Sequence, residues 1–197
     1  MKIMADIGMD DWHSQISEGL RANIIDEFTK LQIITEADLQ SSVCMFLRSF
    51  IHDHSNPRWR VFNQMNQKSG ANKKKNIYPD ILLTQQEKRM IAIELKQGAG
   101  RTGTVSLSDV MDDVEKMGDY GEKYDLETYI IYTCYLSPKS FTEQEESLTE
   151  KASEFGTKTP NLVLINIYGT SEHSLWIDRH TNYQNQWKKL FPELEEV

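Results

Sequence analysis

The sequence predicts an α/β fold built as a single domain of 197 residues. Apolar residues at helical spacing lie before and after a group of short strand-like segments, in residues 35–52 and 106–121. Residues 128–135 form a continuous apolar run, which is typical of a strand buried on both faces. A chain of this length with 39% hydrophobic residues can bury a sizeable core. We therefore expect a mixed central sheet flanked by helices.

Two helices are predicted in the N-terminal part of the chain. Residues 14–31 carry apolar side chains at helical spacing, and we assign residues 1–34 to an N-terminal accessory helix. Thr35 is a favourable N-cap residue, and the acidic residues after it suit the first turn of a second helix. An apolar stripe continues this helix through to His52. This is the clearest helix in the sequence.

Three strands are predicted after the second helix. Residues 58–67 alternate apolar and polar side chains. Residues 76–83 and 90–97 are short runs rich in β-branched residues, and the polar segment 84–89 between them has the length of a hairpin loop. We expect these two strands to pair as a hairpin with its turn centred near Glu87.

The hairpin carries ionisable side chains where the interior of a sheet should carry none. The predicted register pairs Ile81 with Ile93. It therefore sets Asp80 opposite Glu94. Because side chains alternate along a strand, Lys96 lies on the face of Glu94, which we interpret as the chemical face, while the other face is core. Opposed carboxylates destabilise a strand pair by roughly 0.2–1 kcal/mol unless a cation lies between them, and a divalent metal is the natural choice.

A helix, a strand and a C-terminal extension complete the prediction. Ser106 or Ser108 is the expected N-cap of a helix that ends near Gly118 or Gly121. The apolar strand over residues 128–135 follows it. Residues 137–197 form an extension whose predicted elements are a helix over residues 140–155, a hairpin of residues 162–168 with 174–178, and a helix over residues 183–191.

The motif Pro79-Asp80, thirteen intervening residues and Glu94-Leu95-Lys96 resembles the PD-(D/E)xK nuclease superfamily. This resemblance implies that Asp80 and Glu94 bind Mg²⁺ or Mn²⁺ with help from the backbone carbonyl of Leu95. It also implies that Lys96 is the catalytic lysine, which assists the attacking water in phosphodiester hydrolysis.

The resemblance also covers fold and activity. The order of predicted elements over residues 35–136 is similar to the restriction-endonuclease-like α-β-β-β-α-β core of the family. The implied activity is that of a Mg²⁺-dependent endonuclease or exonuclease, with DNA rather than RNA as the expected substrate, in defence, restriction, recombination or repair. Many members act as dimers, so a homodimer or a partner protein is implied as well.

Further acidic positions are open to two interpretations. Glu36 matches the helix acid that the family often adds to the metal ligands, and its spacing from Leu39 and Val43 places it at the start of the apolar face. A first-turn Glu is equally explained by the helix macrodipole. Asp112 is a candidate to support the ligands, and because Asp112 and Asp113 cannot share a helix face, only one of them can do so. Such acidic runs are usually a solvated face.

The charge of the chain is unevenly distributed. The formal net charge is −8, yet residues 55–105 contain ten Lys or Arg against three Asp or Glu. A local positive groove inside an acidic protein suits a phosphate substrate such as nucleic acid. The lysine run in this segment is equally typical of a solvated loop. The candidate substrate contacts are Gln97, Arg101, Lys73, Lys74 and Lys75.

The sequence leaves other functions open. The two strands can form a surface hairpin whose charges are simply solvated. The chain can also be a catalytically silent nuclease-fold module that binds nucleic acid or a protein partner without metal. A third alternative is dinucleotide binding, because residues 98–103 satisfy G-x-G-x-x-G between a predicted strand and a predicted helix. The charged end of that strand argues against this alternative.

Composition also bears on location. No apolar run approaches the length of a membrane span, and residues 1–6 lack the apolar block of a signal peptide. Cys44 and Cys134 lie in apolar segments and are predicted to be buried free thiols rather than a disulfide or a zinc site. We therefore expect no membrane association and a reducing, cytoplasmic location.

Overall fold

A computed structural model describes six stretches of the chain, which are residues 8–30, 36–54, 58–63, 79–86, 88–98 and 105–166. These residues form an α/β unit in which a five-stranded mixed sheet is flanked by helices. The predicted fold class is confirmed at this level.

The strands in chain order are β1 (Trp59–Asn63), β2 (Ile81–Gln85), β3 (Lys88–Gln97), β4 (Glu127–Cys134) and β5 (Asn161–Asn166). They lie side by side in the same order, β1-β2-β3-β4-β5. The pairs β1–β2 and β2–β3 are antiparallel, whereas β3–β4 and β4–β5 are parallel. The strand predicted over residues 128–135 is confirmed to within one residue, and residues 64–67 of the predicted first strand lie outside the described residues.

The hairpin of β2 and β3 has the predicted register at its open end, because Ile81 pairs with Ile93. Its loop is shorter than the predicted segment 84–89. Pairing continues as far as Gln85 with Lys88, so two residues connect the strands. Gln86 has a φ of 49°, as tight hairpin turns require, and Glu87 lies outside the described residues. The polar residues of segment 84–89 were expected to form the loop, but most of them continue the strands because strand pairing uses backbone hydrogen bonds.

The α-helices of the described residues are α1 (Met9–Ser14), α2 (Leu20–Thr29), α3 (Glu36–Asp53), α4 (Leu107–Tyr124) and α5 (Pro138–Ser153). A π-helical turn, Gln15–Gly19, joins α1 to α2. The prediction for α3 is confirmed, with an end one residue beyond His52. The predicted cap Thr35 lies outside the described residues.

The N-terminal helical segment begins earlier than the predicted residues 14–31. Trp12 is fully buried, and its ring lies 4.8 Å from the ring of Phe50 and 4.7 Å from that of Trp59, measured between centroids. The apolar stripe therefore starts with Trp12. The sequence prediction missed this start because two aspartates directly precede Trp12 and interrupt the apolar pattern.

Helix α4 continues through both glycines that were predicted to end it, and it ends at Tyr124. A Cβ atom on Gly118 would lie 2.4 Å from the ring of Phe155, and one on Gly121 would lie 3.4 Å from the carbonyl oxygen of Leu126. The glycines are therefore explained by close packing against their neighbours and not by helix termination.

Serine residues cap both C-terminal helices. The predicted cap of α4 is confirmed as Ser106, whose Oγ accepts a hydrogen bond from the N–H of Asp109 at 3.2 Å. Ser137 caps α5 in the same way, with Ser140 as the donor at 3.3 Å. Helix α5 begins at Pro138, two residues before the predicted start, because proline is well suited to the first helical position.

Apolar side chains form a core on each face of the sheet. One core includes Ile93 and Leu95 of β3 and packs beneath α1, α2 and α3. The other includes Ala92 of β3 and Ile130 of β4 and packs beneath α4 and α5. The face of Glu94 was predicted to be chemical, but most of it is a second core. Helix α4 packs on this face of the sheet, and no local sequence pattern predicts on which face the helix packs.

The first strand of the predicted C-terminal hairpin is present, and its pairing with β4 was not predicted. The segment predicted over residues 162–168 is observed as β5, and it pairs in parallel with β4. Helix α5 provides the long crossover that parallel neighbours require. The predicted partner over residues 174–178 and the predicted helix over residues 183–191 lie outside the described residues.

Two expectations from composition can be compared with the structure. Cys44 and Cys134 are buried and free, as predicted. Among the helices of the described residues, none combines the length and the apolar character needed to cross a membrane.

Candidate functional site

Asp80 is fixed just before β2 by two hydrogen bonds. Its Oδ2 accepts a hydrogen bond from the backbone N–H of Leu95 at 2.8 Å. Its backbone oxygen accepts one from Nε2 of Gln40 on α3, also at 2.8 Å. Burial raises the pKa of Asp80, although the bond from Leu95 and the charge of Lys116 act in the opposite direction. The sheet thus holds the carboxylate of Asp80, and α3 holds its backbone.

Glu94 is 6% exposed and lies near the carboxyl end of β3. Burial and the neighbouring charge of Asp80 raise the pKa of Glu94 to about 8, against the ion pair with Lys116. Oε1 of Glu94 contacts Nζ of Lys116, whereas Oε2 is buried and has no hydrogen-bond partner in the described part of the chain. A buried oxygen without a partner is costly, so Oε2 is an open position for a ligand.

Lys96 completes the predicted triad on the same face of β3. Its Nζ lies 2.9 Å from Oδ2 of Asp113 on α4. Burial lowers the pKa of Lys96, but the hydrogen bond and charge of Asp113, together with the charges of Glu36 and Glu94, raise it above its usual value. Lys96 is therefore a firmly protonated ammonium group. The structure brings the three predicted residues to one corner of the sheet.

Two residues of α4 belong to this cluster and were not selected from the sequence. Lys116 contacts Glu94 and lies 4.0 Å from Oδ1 of Asp113. Asp113 is buried, whereas Asp112, the preferred candidate from the sequence, is exposed and turned away. The sequence could have identified Asp113, because it lies three residues after the apolar Val110 and so shares its helix face.

Glu36 lies near the cluster but not in the core. Its side chain is exposed rather than part of the apolar face of α3, where Gln40, one turn later, is buried and contacts Asp80. The charge of Glu36 still raises the pKa of both Asp80 and Lys96. Glu36 is the first residue of α3, so its side chain is exposed to solvent while its charge is still close to Asp80 and Lys96.

The charges of this cluster do not balance. Together with the neighbouring Glu36 there are four carboxylates, the others being those of Asp80, Glu94 and Asp113, and two ammonium groups, those of Lys96 and Lys116. With every group ionised, two negative charges are left without a counter-charge. One divalent cation would supply the missing two positive charges.

The donor set suits such a cation only in part. Within the described ranges, no group of three or more His, Cys, Asp or Glu side chains is arranged to hold a metal ion. Mg²⁺ typically binds through one or two carboxylates and keeps several waters, so Asp80 and Glu94 are sufficient in number. The backbone carbonyl of Leu95 points to the same edge of β3 as its N–H, which faces Asp80. The residues therefore fit a sparsely coordinated Mg²⁺ or Mn²⁺ ion.

The described residues do not bring the predicted substrate contacts to the acidic cluster. Gln97 is 3% exposed, and because it alternates with Lys96 along β3, its side chain lies on the opposite face from Glu94 and Lys96. The sequence prediction treated Gln97 as a neighbour of Lys96 and overlooked this alternation. The other predicted contacts lie outside the described residues, and they are Arg101, Lys73, Lys74 and Lys75.

A separate cavity of about 330 Å³ lies along β1 and α3. None of the acidic residues of the cluster lines it, and sequence reasoning selected none of its residues. Phe62 is 48% exposed beside it. The lining residues are Arg48, Ile51, Trp59, Arg60, Val61 and Phe62.

The glycine-rich segment was considered as a dinucleotide-binding loop. Helix α4 begins at Leu107, beyond the last glycine of residues 98–103. Residues 99–103 lie outside the described residues, so the dinucleotide alternative stays a prediction.

Comparisons with models of protein families, with curated proteins and with solved structures found no match to this chain.

Proposed function

We propose that this chain is a Mg²⁺- or Mn²⁺-dependent nuclease of the PD-(D/E)xK type with a restriction-endonuclease-like core. The observation that carries the proposal is the buried carboxylate of Glu94, which lies beside Asp80 and has one oxygen without a hydrogen-bond partner among the described residues. Two neighbouring buried acids are unfavourable unless a cation or a chemical role compensates. The succession α3, β1, β2, β3, α4 and β4 supports the family arrangement of the core.

The side chains have separate tasks in this proposal. Asp80, Glu94 and the carbonyl of Leu95 would hold the ion, which supplies a Lewis acid and an acidified water when bound. Lys96 is an ammonium group in this setting, so it would orient the attacking water or a phosphate oxygen by donating a hydrogen bond rather than by removing a proton. Asp113 would hold Lys96 in the position from which it donates.

The substrate class follows from the local charge. Residues 55–105, which include Asp80, Glu94 and Lys96, carry ten basic against three acidic residues, although the chain as a whole has a net charge of −8. Such a segment favours a polyanion near the acidic cluster. The preference for DNA, and a place in defence, restriction, recombination or repair, rest on the resemblance of the motif.

Cleavage of plasmid and linear DNA in Mg²⁺ tests the proposal. We expect the wild type to cut, and Asp80→Ala, Glu94→Gln and Lys96→Met each to lose about 100-fold or more in rate, because each removes a metal ligand or a donor to the reacting phosphate. Asp112→Asn is the matched control, since it neutralises an exposed acid on α4 next to Asp113. Wild-type rates for both the Asp80 and the Lys96 variants would refute the proposal.

A metal-free binding module is the second candidate. The observation that favours it is the pairing of Glu94 with Lys116 and of Lys96 with Asp113, because the cluster already supplies much of its own counter-charge. In this case the chain would bind nucleic acid or a protein partner and would not cleave.

Titration of the wild type with Mn²⁺ by calorimetry separates the two candidates. The nuclease proposal expects one site that disappears in a variant with both Asp80→Asn and Glu94→Gln. A binding module expects no heat from the wild type and unchanged nucleic-acid binding by the double variant.

A further inference from the structure

Lys116 holds one of the two carboxylates that the proposed nuclease would use for its metal. Its Nζ contacts Oε1 of Glu94. The partner oxygen, Oε2 of the same carboxylate, is buried and has no hydrogen-bond partner in the described residues. One oxygen of the Glu94 carboxylate is therefore paired with an ammonium group, and the other oxygen is open to a ligand.

Lys116 also has a second acceptor within reach. Oδ1 of Asp113, one turn earlier on α4, lies 4.0 Å from its Nζ. The side chain of Lys116 is 28% exposed, so it has room to move, whereas those of Glu94 and Asp113 are 8% and 12% exposed. A lysine that lies between two buried carboxylates can leave one for the other without leaving the cluster.

We propose that Lys116 is a built-in counter-cation of Glu94 that moves to Asp113 when the divalent ion binds. This inference rests on the proposed function. It follows from charge, because an ammonium group and a divalent cation that share one carboxylate repel each other strongly where water is largely excluded. Removing the ammonium group therefore removes a competitor of the metal.

The shift has a consequence for Lys96. Asp113 already contacts Nζ of Lys96 through Oδ2 at 2.9 Å. When Lys116 also turns to Asp113, one carboxylate serves two lysines and its hold on Lys96 weakens. Lys96 is then released toward the substrate phosphate only after the metal has entered. Lys116 is thus a positioning residue that couples metal binding to the availability of Lys96.

The affinity of metal-free protein for Mn²⁺, measured by calorimetry and by the rise in Tm, tests this role without a reading of activity. We expect Lys116→Met to bind Mn²⁺ about tenfold more tightly than the wild type, because one positive charge is removed next to the ligand. Lys123→Met is the matched control, since it removes the same charge from the same helix at an exposed position beside the ring of Tyr124. Its affinity should stay within about twofold of the wild type. Equal or weaker binding by Lys116→Met would overturn the inference.

If Lys116→Met does not fold, the Mn²⁺ affinity of Lys116→Arg provides a second test. Its guanidinium group keeps the charge and can hold Glu94 with two parallel hydrogen bonds, so Mn²⁺ should bind about tenfold more weakly. Unchanged or tighter binding by this variant would contradict the proposal. If the wild type itself binds no Mn²⁺, the proposed function fails; if it binds and the Lys116 variants do not differ, only the role of Lys116 fails.

Discussion

The two faces of β3 are built from alternating residues of one strand, yet one face buries apolar side chains and the other also buries charged ones. On the α3 face, Ile91, Ile93 and Leu95 are buried among apolar side chains. On the α4 face, Ala92 is buried in the same manner, but Glu94 and Lys96 follow it. The α3 face is closed by apolar contacts from Ile91 to Leu95, whereas the α4 face changes from apolar to ionic after Ala92.

The difference shows where the charges of this protein can be tolerated. Burying Ile93 stabilises the fold, since removing an apolar side chain from water contributes about 1.5–3 kcal/mol. Burying Glu94 costs free energy unless opposite charges compensate, and α4 supplies Lys116 for that purpose. The ionic end of the α4 face is therefore maintained by pairs of charges and not by packing. Five substitutions test this contrast.

The largest effect on stability is expected on the apolar face. Ile93→Ala should lower the free energy of unfolding by about 2–5 kcal/mol, because it leaves a cavity in a fully buried position. Glu94→Gln, the neighbouring substitution on the other face, should leave stability unchanged or increase it, since it removes a buried charge. Chemical denaturation of both variants in the absence of metal makes the comparison. A greater loss for the Glu94 variant would reverse the assignment of the two faces.

Removal of the counter-cation is expected to have the next largest effect. Without metal, Lys116→Met should cost about 1–3 kcal/mol at pH 8, because it leaves Glu94 buried and unpaired. The double variant Glu94→Gln with Lys116→Met should recover most of this loss, since both charges are then gone. Urea denaturation of the two single variants and the double variant gives the coupling between the residues. Additive effects would show that the pair is not coupled.

The pH dependence of stability should have a contribution from Glu94. Its pKa in the folded protein is raised to about 8 from an ordinary value of 4.5, so between these values the folded state keeps a proton that the unfolded state has lost. Stability without metal should therefore fall as the pH rises from about 5 to 8.

Glu94→Gln removes this contribution and isolates it from other groups. The stability of the variant relative to the wild type should increase with pH over the same window. Thermal unfolding at pH 6 and at pH 8.5 measures the difference. A difference that is constant with pH, or that decreases, would contradict the raised pKa.

The smallest effect is expected from the exposed acid of α4. Asp112→Asn should change stability by no more than about 0.5 kcal/mol, because the side chain is exposed. Asp113→Asn should cost more, since it removes the partner of Lys96 at a buried position. Thermal unfolding of the pair checks whether the buried face of α4 is assigned correctly. Equal losses would argue against the ionic cluster.

Local patterns predicted some parts of the molecule well. The register that pairs Ile81 with Ile93 followed from the alternation of side chains in two short strands and from the length of the segment between them. The cap at Ser106 followed from its side chain and its position before an apolar stripe. These features depend on residues that are near each other in the sequence, so the sequence is enough to find them.

Other parts depended on contacts between distant segments. The glycines of α4 were predicted to end the helix, but Phe155 from beyond α5 packs on Gly118 and makes a small residue necessary there. The parallel pairing of β5 with β4 was not predicted, because it joins two strands that a whole helix separates in the sequence. Gln97 was placed beside Lys96 from sequence adjacency, although adjacent strand residues point to opposite faces.

The sequence by itself determined which residues of the hairpin could carry chemistry, because the spacing of Asp80, Glu94 and Lys96 follows from strand geometry. Only the tertiary structure decided which charges surround them. Helix α4 brings Asp113 and Lys116 to the α4 face across more than fifteen residues of chain, and Gln40 reaches Asp80 from α3. The physical reason is that a buried charge is compensated by whichever groups the packing of helices on the sheet places beside it, and that packing is not a local property of the sequence.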